Sequence, residues 1–390
     1  MSKKNILVIG GGVAAADAAA AARKADPDCQ ITVLSSEGEL PIFRTRVAEV
    51  LRDKQMADKL FIHPASWYEE RAIDFRLHST AESIDPKKKT VRLDSGEEFP
   101  YDRLILANGS SSFVPPVEGF SPDFAYTLWN LKDAVRLSDA IDEKPIRRIA
   151  IIGGGLLGLE AAWQLRQRGL EVVMLERGSG LLTRQLDTRA SEILKAAIEK
   201  EDVEVVLDAD TKSFETKEDA PCHVTLHLAD GRTVEADAVL FAVGVRANTP
   251  LAESAGLEIG RRIKVNEKME SSEEAIYAAG DVCEVNPDGY WFGLFPISRE
   301  QGSVAGNQAA GGSEVFEKRI PPYQASAMGT RIVSQGKHPD KEEDGLRFEI
   351  EEDPASNSYK KLVFEGEQLV GYILLGEAVR ERQELDKRMA

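Results

Sequence analysis

The chain has 390 residues, 42% apolar and 29% charged, an ordinary globular composition that excludes a disordered, collagenous or coiled-coil protein. Its 49 Lys and Arg face 66 Asp and Glu, a formal net charge of −17. That balance argues against a nucleic-acid binder built on phosphate neutralisation and against docking on an anionic membrane leaflet. Length alone allows two or three domains. Cys29, Cys222 and Cys283 form no CxxC-type pair, so neither a disulfide framework nor a zinc pattern is expected, and a reducing compartment is. His223 and His227 share a face only by strand alternation, and no metal site is read from them. No stretch reaches the ~18 apolar residues of a membrane span. The apolar N-terminal run, interrupted by Asp17 and three glycines, reads as strand, turn and helix rather than a signal peptide, so a cytoplasmic protein is expected.

In chain order, a strand over Asn5-Ile6-Leu7-Val8-Ile9 runs into Gly10-Gly11-Gly12-Val13-Ala14-Ala15 and a helix over about 13–24. A second strand, Gln30-Ile31-Thr32-Val33-Leu34, ends near Glu37. The pattern is GxGxxA with an acid at the next strand end. The same plan returns at Arg148-Ile149-Ala150-Ile151-Ile152, then Gly153-Gly154-Gly155-Leu156-Leu157-Gly158. A helix over about 156–168 stops at Gly169, and the strand Glu171-Val172-Val173-Met174-Leu175 ends at Glu176. Downstream the halves match again. An alternating segment and a turn at Gly96 lead through Asp102 to Gly109, and another at Gly231 leads through Asp237 to Gly244. Each reads as a hairpin feeding a buried strand. A duplicated unit of this size is two dinucleotide-binding domains, not a short-period solenoid. Last, Glu274 to Asp281 reads as a short buried strand ending in Gly280-Asp281, by which the chain re-enters the first domain.

A dinucleotide pyrophosphate must approach backbone amides at a helix N-terminus, where the dipole favours negative charge. Gly10 and Gly153 permit the tight turn, Gly12 and Gly155 remove the Cβ that would bar approach, and Ala15 and Gly158 let the helix pack on its strand. Glu37 and Glu176 then take the adenosine ribose hydroxyls. A carboxylate at Glu176 repels a 2′-phosphate, so NADH is expected over NADPH, although the adjacent Arg177 is a candidate for binding that phosphate.

These motifs resemble, in order, those of the two-dinucleotide pyridine nucleotide oxidoreductases, the FAD/NAD(P)-dependent flavoprotein reductases. The likeness runs through Gly10 to Ala15, Leu106-Ala107-Asn108-Gly109, Gly153 to Gly158 with Glu160, Phe241-Ala242-Val243-Gly244 and Ala279-Gly280-Asp281. Pro41-Ile42-Phe43-Arg44-Thr45-Arg46-Val47, Gly244-Val245-Arg246-Ala247-Asn248-Thr249, Phe295-Pro296 with Glu300-Gln301-Gly302, and the tail motifs near Tyr359 and Gly371 are similar to the NADH:rubredoxin reductase-like branch. Thr45, Asn108 and Glu49 depart from it. The resemblance implies FAD in the first site and NAD(P)H in the second. It implies Asp281 at the FAD ribityl or pyrophosphate region, Ala81 at adenine through its backbone, Arg44 near flavin or pyrophosphate, and Glu300 on the helix whose end lies under the flavin pyrimidine. It places Glu160, the candidate catalytic residue, at the flavin–nicotinamide junction.

The expected fold is α/β: two Rossmann-like dinucleotide-binding domains, the NAD domain inserted in the FAD domain, plus a small α+β C-terminal domain. The FAD domain takes 1–112 and 245–314, the NAD(P)H domain 113–244, and the C-terminal domain 315–390, with an exposed charged loop over 337–344 and a final helix over 377–389. Disulfide reductases of this family need cysteines beside the flavin, and residues 40–51 contain none. Electrons are therefore expected to pass from NADH through FAD directly to a small redox protein, such as rubredoxin or ferredoxin, or to a partner subunit. An oxygen-using NADH oxidase and a non-catalytic redox-sensing flavoprotein are the alternatives. Arg44, Arg46, Arg52 and Lys54 are candidates for a basic patch that would dock an acidic carrier.

Overall fold

A strand buried on both faces of a parallel sheet must be apolar almost throughout, and the short runs at residues 5–9 and 148–152 meet that demand. In the computed structural model, which describes residues 3–389 apart from 218–219, 343–344 and 354–355, both runs are central strands. Asn5–Ile9 lies between Gln30–Leu34 and Arg103–Leu106, parallel to both, with Ile6 opposite Ile31 on one side and Arg103 on the other. Ile73–Arg76 and Ile276–Ala278 complete that sheet at its two edges. Arg148–Ile152 lies between Glu171–Leu175 and Ala238–Phe241, with Val203–Val206 and Ala125–Thr127 at the edges, all parallel. The repeat in sequence is thus a repeat in topology. Each half also carries a three-stranded antiparallel sheet, Ala81–Asp85 with Thr90–Leu93 and Glu98–Pro100, and Thr211–Lys217 with Ala220–Leu228 and Thr233–Ala236. The re-entering strand is shorter than its apolar run, because Gly280–Val282 turns into a 3-10 helix.

The chain divides into two compact units. One comprises residues 1–46, 57–111 and 245–318, the other 47–56, 112–244 and 319–390. In the first, the helix Val13–Ala25 packs against the helix Phe295–Ala310. Alanine is the best helix former, and here it also leaves the surface thin enough for close approach. A Cβ on Gly302 or Gly306 would lie 2.3 or 2.0 Å from the Ala14 or Ala18 carbonyl oxygen. Asp17 accepts two hydrogen bonds from Arg299 across this contact, at 2.9 and 3.1 Å.

In the second unit, residues after 319 build a five-stranded antiparallel sheet in the order Tyr323–Ala327, Thr330–Gly336, Gln368–Leu375, Ser358–Glu365, Leu346–Asp353. The helix expected over 377–389 is corrected: Gly376–Glu381 is 3-10, and only Arg382–Met389 is α-helical. Adjacent Ala378 and Val379 both pack on the C-terminal core, and Ser358 Oγ holds the Ala378 N–H at 3.2 Å. The charge pattern of the tail carries no trace of that demand. Residues 337–342 are irregular, with Lys337, Asp340, Lys341 and Glu342 exposed; the rest of the expected loop, 343–344, lies outside the described residues. Among the described residues no helix is long and apolar enough to cross a membrane.

Candidate functional site

The two glycine turns share their geometry. Gly10 and Gly153 take φ of +145° and +117°, and a Cβ there would meet the Ala107 or Ala242 carbonyl oxygen at 2.1 or 2.4 Å. The first glycine therefore serves both the turn and the neighbouring strand end. Gly12 and Gly155 differ: a Cβ on either would project into open space, with no atom within 4 Å. The helices that follow begin without a capping side chain. By contrast, Leu131–Glu143 and Thr188–Glu199 are capped by Asn130 and Asp187, which accept from Asp133 and Ala190 N–H. The amides at the start of a helix need an acceptor. At these two turns no side chain caps the helix, and the approach over Gly12 and Gly155 is clear, which fits a dinucleotide pyrophosphate. The third small residue differs between the turns. A Cβ on Gly158 would strike the Gly153 carbonyl oxygen at 2.2 Å, whereas the first turn accommodates the methyl of fully buried Ala15.

Both acids sit beneath the second glycine of their turn. Glu176 Oε2 accepts from Gly154 N–H and Oε1 from Gly178 N–H, each at 2.7 Å. The Glu37 carboxyl carbon lies 3.4 Å from where a Gly11 Cβ would stand, and this carboxylate is paired with Arg44. Ser35, fully buried at the strand end, accepts from Glu37 N–H at 3.1 Å. The strand that opens with half-buried Ala81 is tied to the same place, as Ser79 N–H donates to the Ser35 carbonyl at 2.7 Å and His78 N–H to the Glu37 carbonyl at 3.0 Å.

Gly280, at φ +79°, abuts Ala14, whose Cβ would be 3.0 Å from its own. Its N–H donates to Oε1 of buried Gln301 at 3.0 Å. Asp281 Oδ2 accepts from Ser110 Oγ at 3.1 Å. Burial pushes the Asp281 carboxyl up, against the opposing pull of the Ser110 hydroxyl and the Arg262 guanidinium. Arg262 Nε donates to the Asp281 carbonyl at 3.0 Å, and the guanidinium stacks 3.4 Å from the Trp291 ring centre. Gly109 takes φ +60° after buried Ala107, and Gly244 takes φ +98° at the matching place in the second half. Glu300, half-buried, lies on the helix that carries Gln301. The first unit therefore holds Gly10, Gly12, Ala15, Glu37, Arg44, Ala81, Ala107, Gly109, Gly280, Asp281 and Glu300, and the second holds Gly153, Gly155, Gly158, Glu160, Glu176 and Gly244.

Glu160 lies one turn into the helix Leu156–Gln167, which packs against Glu49–Arg52 and Tyr323–Ala327. Burial, and then the negative charge of Glu49, push its carboxyl up to about 7. Cys29 and Cys283 are 3% and 0% exposed, and burial pushes both thiols up. Neutral, buried thiols are poor nucleophiles. The side chain of Cys222 lies outside the described residues. Among the described residues no group of three or more His, Cys, Asp or Glu is arranged to hold a metal.

Of the residues offered for a basic patch, Lys54 is paired with Asp139 and Asp142 and Arg44 with Glu37, so these charges are already matched by carboxylates.

Sequence reasoning missed Gln301 as the holder of Gly280, and Gly302 and Gly306 as contact glycines. The signal was a four-residue spacing of small residues opposite Ala14 and Ala18. It also missed the Asn108–Asn248 pair, in which each side-chain amide donates to the other's carbonyl, at 2.9 and 2.7 Å.

Residues 4–309 match the family described as pyridine nucleotide-disulphide oxidoreductase. The chain is 31% identical over 381 residues to a nitrite reductase [NAD(P)H] of Bacillus subtilis, covering 97% of this chain and 46% of that protein, so it spans about half that relative's length. It is 31% identical over 343 residues to the NADH-rubredoxin oxidoreductase of Clostridium acetobutylicum, covering 86% of this chain and 82% of that one. Among solved structures, an NAD-dependent persulfide reductase from A. fulgidus superposes with a TM-score of 0.88 at 25% identity, covering 99% of this chain and 76% of that one.

Proposed function

The chain belongs to the pyridine nucleotide-disulphide oxidoreductase family, and from that premise we propose that it is an NADH-dependent flavoprotein reductase. It holds FAD at the first glycine turn and NADH at the second, and it delivers electrons to a small redox protein, such as a rubredoxin or ferredoxin, or to a partner subunit. The observation that carries this reading is the matched pair of open, uncapped turns at Gly12 and Gly155, each with an acid beneath it. Domains follow on the same reading: FAD at 1–112 and 245–314, NADH at 113–244, and a small C-terminal domain at 315–390.

FAD, when bound, supplies two-electron acceptance from NADH and one-electron release to a carrier. The chain's part is binding, orientation and proton control. Backbone amides at the start of Val13–Ala25 face the FAD pyrophosphate, Glu37 takes its adenosine ribose, Ala81 meets adenine through its backbone, and Asp281 takes the ribityl region. Arg44 balances negative charge there. Glu176 takes the NADH adenosine ribose and disfavours a 2′-phosphate. Glu160, with a carboxyl near 7, can hold or release a proton at neutral pH. A thiol relay has no place here: residues 40–51 lack cysteine, and Cys29 and Cys283 are buried thiols. Such unpaired thiols suit a reducing cytoplasm.

The test is anaerobic stopped-flow mixing. The purified yellow protein should be bleached at ~450 nm by NADH and much more slowly by NADPH, because the carboxylate at Glu176 selects against a 2′-phosphate. The reduced protein is then mixed with rubredoxin, ferredoxin, quinone or oxygen. Rapid oxidation by a one-electron carrier supports the reductase, whereas rapid oxidation by oxygen alone replaces it with an oxidase.

A further inference from the structure

Residues 177–187 run from the strand end that carries Glu176 to the helix Thr188–Glu199. They contain no strand or helix, yet they are held along their length. Glu176 Oε1 accepts from Gly178 N–H at 2.7 Å, and Ser191 Oγ accepts from Leu181 N–H at 2.7 Å. The Leu181 side chain lies beneath the second glycine turn, its Cδ2 2.5 Å from where a Gly154 Cβ would stand. The remaining anchors come from the C-terminal sheet and its connections. His338 Nε2 is 2.9 Å from the Arg184 carbonyl, and its Nδ1 is 3.0 Å from the Gly336 carbonyl. Thr188 N–H donates to Asp340 Oδ1 at 2.6 Å. Asp187 caps the helix through Oδ1, which accepts from Ala190 N–H at 2.9 Å. Its Oδ2 accepts from Lys361 Nζ at 2.7 Å and Tyr359 OH at 2.9 Å.

The Lys361–Asp187 pair is the most deeply buried ion pair among the described residues, with side chains 1% and 4% exposed. The Lys361 ammonium also donates to the Pro339 carbonyl and lies 4.0 Å over the Phe348 ring. Desolvation offsets most of the attraction in such a pair, so it is a poor source of stability compared with packed apolar groups. What it supplies is position: one arrangement satisfies the ammonium, the phenol and the helix cap together.

We propose that Lys361, with Tyr359 and His338, is a positioning group for the nicotinamide nucleotide site. Acting through Asp187 and the Arg184 carbonyl, the C-terminal sheet holds residues 177–187, and through Leu181 and Glu176 it holds the Gly154–Gly155 turn, in the arrangement that accepts NADH. Lys361 touches no nucleotide. The inference rests on the second turn being the NADH site.

The test uses the full flavin-loaded chain with NADH, NADPH and an artificial dye. Lys361→Met should raise the Kd and KM for NADH about tenfold, while FAD content and kcat with the dye stay within about twofold. The ratio of kcat/KM for NADH over NADPH should fall with it, a change that general destabilisation would not produce. Tyr359→Phe removes one hydroxyl and should shift the same quantities in the same direction by about threefold; it keeps the test open if Lys361→Met does not fold. Unchanged NADH affinity and selectivity in folded, flavin-loaded variants would overturn the proposal. A wild-type protein that binds FAD but is never reduced by NADH would instead overturn the reading on which it rests.

Discussion

At the scale of single residues, Glu176 and Glu160 are two carboxyls held in different surroundings. Glu176 is pinned by the Gly154 and Gly178 amides, so its two oxygens are aimed before any ligand arrives. Glu176→Ala should narrow the NADH-over-NADPH preference by roughly 1–3 kcal/mol, the range for losing a hydrogen bond to a charged group. The measurement is the ratio of flavin-bleaching efficiencies with the two nucleotides, and an unchanged ratio would remove Glu176 from the site. Glu160 is governed instead by burial and by Glu49, which bring its carboxyl to about 7 from an ordinary 4.5. A carboxyl with a raised folded-state pKa binds its proton more tightly in the native protein. It therefore contributes stability that is complete below about 4.5 and is lost as pH climbs through about 7. Glu160→Gln should flatten that decline. Relative to wild type, the variant should gain on the order of 3 kcal/mol in urea unfolding between pH 4 and pH 8. Parallel stability curves for the two proteins would show that Glu160 does not titrate in this window.

At the scale of elements, glycines that look alike in the sequence answer to different demands. Gly12 stands at φ −102°, an ordinary backbone, with open space where its Cβ would be. Gly302 has the Ala14 carbonyl oxygen 2.3 Å from that position. Gly12→Val should thus leave the melting temperature of the flavin-free protein nearly unchanged and abolish flavin retention. Gly302→Val should cost about 1–3 kcal/mol by forcing two helices apart. Flavin content and thermal melts of the two variants check both halves; a folded, flavin-replete Gly12→Val protein would refute the first. The glycine turns, their strands and the two motif helices were legible because each rests on a local requirement: positive φ, no Cβ, or an unbroken apolar run. Gly302 and Gly306 were not, since the demand on them comes from a helix almost 300 residues earlier. The tail was misread for a related reason. Its charge pattern reports the exposed face, whereas the 3-10 turn answers to Ala378 and Val379 packing beneath it.

At the scale of the molecule, charge would decide how the proposed carrier arrives. The chain stands at −17, and Arg44 and Lys54 are already paired with carboxylates. An acidic one-electron protein should therefore oxidise the NADH-reduced chain faster as salt rises and the Debye length shrinks from ~10 Å at 0.1 M to ~3 Å at 1 M. NADH-driven bleaching should change far less. A rate with an acidic carrier that falls with salt would show that a basic patch docks it despite the net charge. By itself the sequence determined the duplicated α/β plan, the two glycine turns with Glu37 and Glu176, the Gly280-Asp281 turn and the want of a cysteine near residues 40–51. These rest on local demands: a positive φ that favours glycine, an unbroken apolar run, or a side chain set at a strand end. The tertiary structure alone decided that Arg44 faces Glu37, that Gln301 holds Gly280, and that Lys361 reaches Asp187 across 174 positions. A buried lysine is spelled like an exposed one, and only the folded chain determines which carboxylate it meets and whether water is there to compete.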